Sequence, residues 1–146
     1  VWLNPSNDYA HKHLHKAGDR MCELAYNFRN VKSDLDKLEY EISELKKQKK
    51  NVTKITSTKK YKDLKLQLRA LNQAARELLL LQSSDWLFII TNNTMVDYAH
   101  RRIKDHTGRF TRIYNELNSG NIDEKFLEEI ELKDAIFPDI DYRIYL

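Results

Sequence analysis

Three histidines stand at alternate positions in His11-Lys12-His13-Leu14-His15, a residue type that binds zinc through its neutral imidazole. On a helix only His11 and His15 share a face, and a third ligand has to come from elsewhere. The cluster therefore reads as surface histidines, and no metal is expected. A second candidate is Ser83-Ser84-Asp85-Trp86. A Trp beside an Asp can lock a corner, with the indole N–H paired and the carboxylate capping a helix, or it can face a ligand. Glu128-Glu129 offers paired carboxylates, although nothing separates them from those of a solvated helix face. Cys22 is alone, sits one residue off an apolar stripe, and reads as packing rather than as a nucleophile. The chain has no HExxH, CxxC, GxSxG or glycine-rich phosphate loop. No catalytic set is visible, and no cofactor is expected.

The elements that must position these residues are helices. Glycine occurs 3 times and proline 2 times in 146 residues, while Leu, Lys, Glu, Ala and Arg abound, the composition of a helical protein. Asn4-Pro5 is an N-cap followed by proline at the first helical position. Ala10, Leu14, Ala17, Met21, Leu24 and Phe28 then draw one stripe by threes and fours, ending near Asn30. Ser33-Asp34-Leu35-Asp36 resembles a capping box, and Leu35, Leu38, Ile42 and Leu45 carry a second, half-covered helix. The positions Leu64, Leu68, Leu71, Ala75, Leu78 and Gln82, widened by Leu66, Ala70, Ala74 and Leu81, predict a central helix. It ends at the SSDW step after Leu78-Leu79-Leu80-Leu81, a run expected to be buried on every side. Thr94-Met95-Val96-Asp97 caps a further helix with Val96, Ala99, Ile103, His106, Phe110, Ile113 and Leu117 inward. Its other face, with Arg101, Lys104, Asp105, Arg109 and Arg112, is expected in water. Gly108 interrupts this helix at a cost of about 1 kcal/mol against alanine, which suggests a close helix approach, and Gly120 is its C-cap. A short helix with Phe126, Leu127 and Ile130 follows. The extended segment 135–142 is expected to pin back on the bundle through its apolar residues. The fold predicted is all-α, a bundle of four to five helices with an extended C-terminal tail.

Residues 1–146 fit one domain, long enough for a real core. The charge balance of 25 basic against 22 acidic residues gives only +3, so no general basic face is implied. Residues 46–62 carry eight lysines and no acid, and read as a solvated, mobile connection. As a nucleic-acid arm this stretch would want interleaved aromatics, and Tyr61 is its only one. A single cysteine excludes an internal disulfide. Asn51-Val52-Thr53 and Asn92-Asn93-Thr94 match glycosylation sequons with no secretory signal beside them, so the expected location is the cytoplasm. No apolar run approaches the roughly 18 residues of a membrane span. The opening Val-Trp-Leu lacks an initiator Met and begins in mid-pattern, which suggests a piece of a longer protein.

VWLNPSNDY, HLHKAGDRM, LNQAARELLLLQSSDW, DYAHRRIKDHTGRF and IFPDIDYR, in that order, resemble the C-terminal helical domain of glycoside hydrolase family 57 enzymes. The similarity is closest to the 1,4-α-glucan branching-enzyme group. Two features depart from it: the lysine-rich stretch is longer than the family's, and Tyr9 and His11 stand where a second Trp is expected near Trp2. The resemblance implies a preceding distorted barrel that holds a Glu nucleophile and an Asp general acid for a retaining displacement. Neither falls on this chain, so no catalytic residue is assigned here. It further implies that the helical domain packs on that barrel and closes one side of an α-glucan cleft. Trp2 is the foremost residue for stacking on sugar rings, with Tyr9 beside it in sequence and Asp85 and Trp86 as a second contact. Two other classes stay open on the residues alone. One is a helical scaffold that binds a protein through the exposed second helix. The other is a nucleic-acid module working through the lysines, which steep salt dependence of binding would reveal.

Overall fold

The computed structural model describes residues 8–82 and 96–146, with side chains for 12–82 and 97–146. Its helices are α1 (Asp8–Asn27), α2 (Val31–Lys47), α3 (Thr53–Thr56), α4 (Lys59–Leu81), α5 (Val96–Ser119) and α6 (Glu124–Lys133), followed by a 3₁₀ turn at Tyr142–Tyr145. No strand occurs among the described residues. The fold is the all-α bundle expected.

The stripes form the core. Ala17, Met21, Leu24 and Ala25 of α1 meet Ala70, Leu71, Ala74, Ala75 and Leu78 of α4, and Ala99, Ile103, Phe110, Ile113 and Leu117 of α5 close the third side. Each fully buried Leu, Ile or Phe contributes roughly 1.5–3 kcal/mol relative to exposure. The central place belongs to α4, which packs against α1, α2, α3, α5, α6 and the terminal turn, most extensively against α5. Alanines on α4 let its neighbours approach closely. The half-covered α2 buries Val31, Leu35 and Ile42 and leaves Tyr40 in water.

Local signals set the ends. Thr58 accepts a hydrogen bond from the Tyr61 N–H (3.2 Å) at the start of α4. Asp123 does the same for Phe126 (3.1 Å) at α6. Gly120, at φ 80°, ends α5 in the left-handed conformation expected of a C-cap glycine. The start of α1 at Asn4-Pro5 and the capping box at Thr94 lie outside the described residues.

Residues 46–62 comprise the last turn of α2, the single turn of α3 and the first turn of α4. Their eight lysines are all exposed. The other side of the stretch packs: Val52 and Ile55 lie against the core, and Tyr61 is buried with its hydroxyl donating to Glu39 Oε1 (2.8 Å).

Five expectations are corrected. Leu79 and Leu80 are half-buried, because only Leu78 and Leu81 of that run point at α5 and α1 packing. Cys22 is exposed, since it falls beside the stripe rather than in it. A Cβ on Gly108 would meet nothing within 4 Å, so this glycine marks open space and not a close approach. Arg109 is mostly buried, drawn in by Asp134. Finally, Ile136 and Phe137 are exposed, and the tail is pinned beyond them: Ile140 and Tyr145 pack on the core, and Tyr142 is fully buried, with its hydroxyl donating to Phe28 O (2.6 Å) and its N–H to Asn72 Oδ1 (3.0 Å).

Candidate functional site

The charged face of α5 and its neighbours build two distinct arrangements on opposite sides of that helix. On one side a cleft of about 510 Å³ opens between α1 and α5, lined by His13, His100, Ile103, Lys104, Thr107 and Gly108. The spacing 100, 103, 104, 107 places one residue per turn toward the cleft. Ile103 contributes apolar surface, Gly108 leaves room because it has no side chain, and His13, His100, Lys104 and Thr107 contribute polar groups to the lining. The Thr107 Oγ1 atom is buried and has no hydrogen-bond partner. Several donors and acceptors beside apolar surface suit a neutral, hydroxyl-rich ligand.

On the other side lies a buried polar network. Glu77 and His106 are both fully buried, and His106 Nδ1 is 2.5 Å from Glu77 Oε2. The two side chains share a hydrogen bond through Nδ1, and the buried Nε2 has no partner among the described residues. Gln73 Nε2 donates to Glu77 Oε1 (3.0 Å), and Arg109 Nη1 stands 3.9 Å from the same oxygen. Arg109 also pairs with Asp134 Oδ2 (3.1 Å), and Arg102 with Asp134 Oδ1 (3.0 Å). Burial would raise the Asp134 carboxyl, but the two guanidinium groups outweigh it and hold this group below the ordinary aspartate range. Arg76 donates to Gln73, to Ile136 O (2.6 Å) and to Phe137 O (3.3 Å). Its guanidinium pKa is lowered by burial, which Glu131 and Glu77 partly offset. Glu77 and His106 resemble an acid–base dyad, yet neither reaches a cleft. They can lock α4 to α5; they cannot meet a substrate.

Residues 44–145 match a family model described as the C-terminal region of 1,4-alpha-glucan branching enzyme. The chain belongs to this family.

Over 141 residues, 94% of the chain, it is 31% identical to the 1,4-alpha-glucan branching enzyme TK1436 of Thermococcus kodakarensis, of which it covers 16%. The crystal structure of the alpha-amylase AmyC from Thermotoga maritima superimposes with a TM-score of 0.67 at 36% identity, over 97% of the chain and 21% of that protein. The chain thus spans about a sixth of the length of its curated branching-enzyme relative.

Of the residues singled out in the sequence, Trp2, Asp85 and Trp86 lie outside the described residues. Tyr9 belongs to the first turns of α1, one turn before His13, and its side chain also lies outside them. His13 and His15 are exposed, and His13 lines the cleft while His15 does not. Among the described residues no three His, Cys, Asp or Glu side chains are grouped to hold a metal ion, and no helix is long and apolar enough to cross a membrane. Glu128 and Glu129 are exposed, as a solvated face requires. Sequence reasoning missed His100, Lys104 and Thr107 as cleft residues, and Gln73 and Glu77 as core. A signal for the latter existed: Ala70, Gln73, Glu77 and Leu81 are spaced by three and four on α4, just as His106 occupies an apolar position on α5.

Proposed function

We propose that this chain is the non-catalytic C-terminal helical domain of a retaining 1,4-α-glucan branching enzyme of the glycoside hydrolase family 57 type, acting in the cytoplasm. In this reading residues 1–146 form one domain that packs on a catalytic barrel and closes one side of its glucan cleft. Trp2 and Tyr9 stack on sugar rings, and Asp85 with Trp86 makes a second contact. The barrel supplies the nucleophile and the general acid; the helical domain supplies orientation of the glucan, which is worth much of the barrier in a transfer reaction.

The observation that carries this reading is the cleft between α1 and α5. Its polar groups and apolar surface suit a pyranose, and it is lined from the second turn of α1 and the first half of α5, the two helices that follow the segments bearing Trp2 and Trp86 in sequence. The test uses the two tryptophans of the chain as reporters. Maltoheptaose, a linear α-1,4 glucan, should change their fluorescence saturably, and His100→Ala should weaken that response. Emission that stays constant throughout the titration would contradict the reading.

A further inference from the structure

Gly108 stands in the interior of α5, although nothing in the fold asks for glycine there. A Cβ at this position would meet no atom within 4 Å, and of the glycines only Gly120 has a positive φ. Neither a neighbour nor the backbone excludes a side chain. Glycine is the least favourable helix residue after proline, so alanine would fit and would favour the helix. What the glycine provides is the room above it.

That room joins two hollows. Lys104 and Gly108, one turn apart on α5, line both the cleft between α1 and α5 and a groove of about 470 Å³ between α5 and α6. The other walls of the groove are Asp105, Arg109 and Arg112 of α5 with Phe126 and Lys133 of α6. Ile103 and Thr107 face the cleft from one side of the line through Lys104 and Gly108, and Asp105, Arg109 and Arg112 face the groove from the other. Each hollow falls within the roughly 300–1,000 Å³ of a small-ligand site, so a ligand that fills both is elongated and crosses α5 at the shared residues. Lys104 can swing aside on its flexible stem; at Gly108 there is no side chain to move.

An anion is the competing occupant, because four cations and one carboxylate line the groove. Two of the cations are already answered. Arg109 pairs with Asp134 Oδ2 (3.1 Å), and Arg112, lying over the Phe126 ring at 3.6 Å from its centre, pairs with Glu116 Oε2 (2.7 Å) and Asp123 Oδ2 (2.9 Å). Lys104 and Lys133 then stand against Asp105, and none of these three is ion-paired among the described residues. Two ammonium groups against one carboxylate do not answer a phosphate group of about two negative charges. Donors and an acceptor in one groove match hydroxyl groups, which both donate and accept.

We infer that an α-glucan strand seated in the cleft crosses α5 over Gly108 and continues in the groove toward α6, so that Gly108 sets how long a glucan this domain holds. The inference rests on the glucan reading of the cleft, and adds to it the path of the strand and the residue that keeps that path open.

The experiment is calorimetric titration of the 146-residue chain with maltotriose and maltoheptaose, a short and a long α-1,4 glucan. Wild type should bind maltoheptaose at least about tenfold more tightly than maltotriose. Gly108→Leu, which closes the pass, should bring the two affinities within about twofold of each other. Asp105→Ala combined with Lys133→Ala, which alters the groove alone, should do the same and leave the maltotriose affinity at the wild-type value. Gly18→Ala is the control: Gly18 lies inside α1 with nothing within 4 Å of a Cβ and lines neither hollow. It should raise the melting temperature, as Gly108→Leu should, and leave both affinities unchanged, so that a weaker grip on maltoheptaose in Gly108→Leu is not unfolding. Equal wild-type affinities for the two glucans would overturn the crossing while leaving the cleft reading intact, and so would a preference for maltoheptaose that survives Gly108→Leu. Inorganic phosphate that lowers the maltoheptaose affinity to that of maltotriose would assign the groove to an anion and overturn the inference. Binding of neither glucan would remove both readings.

Discussion

Glu77 and His106 show how a single buried pair can define the packing of two long helices. These two side chains have no exposure and are held by their mutual hydrogen bond and by Gln73 on the Glu77 carboxyl, while His106 Nε2 has no partner among the described residues. Removing one member strands the rest. Glu77→Ala should therefore cost about 3–5 kcal/mol in urea unfolding, whereas replacing Glu77 and His106 together by leucine should cost clearly less, since neither member of the pair is left buried without the other and Gln73 keeps the Ile130 carbonyl as acceptor. A single substitution that costs less than the double would contradict this account. Asp134 carries a pH signature. Its carboxyl pKa is depressed in the folded chain by Arg102 and Arg109 against the effect of burial, so the unfolded chain takes up this proton first as pH falls. The contribution is fully present above about pH 4, the unfolded aspartate value, and is lost as pH drops through the folded pKa. Asp134→Asn should remove that part of the acid sensitivity, seen as a flatter slope of melting temperature against pH below 4. An unchanged slope would show that the ion pairs contribute nothing.

Helices whose large apolar residues recur by threes and fours were legible at the scale of the element, which is why α1, α2, α4, α5 and α6 follow the expected stripes and Gly120 ends α5. The lysine-rich stretch 46–62 was legible only on its charged side. Composition there records eight lysines and conceals that Val52, Ile55 and Tyr61 pack, because α3 is a single turn, too short for any period to register. Neutralising Lys49, Lys50, Lys54 and Lys59 to glutamine should leave stability within about 0.5 kcal/mol, as surface changes do. Ile55→Ala should cost about 1–2 kcal/mol, less than a fully buried isoleucine. Equal effects in thermal unfolding would mean that the short helix is a passive connection. The exposure of Phe137 was not legible at all: it depends on Arg76, which lies 61 positions earlier in sequence and holds its carbonyl. Likewise the cleft draws His13 and His100 together from helices far apart in the chain, a juxtaposition that no local pattern records.

The whole molecule is a helical bundle of the branching-enzyme C-terminal family that covers a small fraction of its relatives' length. Its described residues hold their strongest acid–base pair in the core and line their cleft with groups suited to binding hydroxyls. A retaining glycosidase or transferase needs two carboxyl groups about 5–5.5 Å apart across a sugar-binding cleft, and the cleft between α1 and α5 has none in its described lining. The account therefore separates glucan contact from glucan chemistry. The measurement that tests this most directly is incubation of the purified 146-residue chain with amylose, counting α-1,6 branch points and new reducing ends by ¹H NMR. The account predicts that neither accumulates at any concentration of the chain. Branch points or reducing ends that grow in proportion to the chain added would contradict it, because the catalytic carboxylates would then have to lie on this chain.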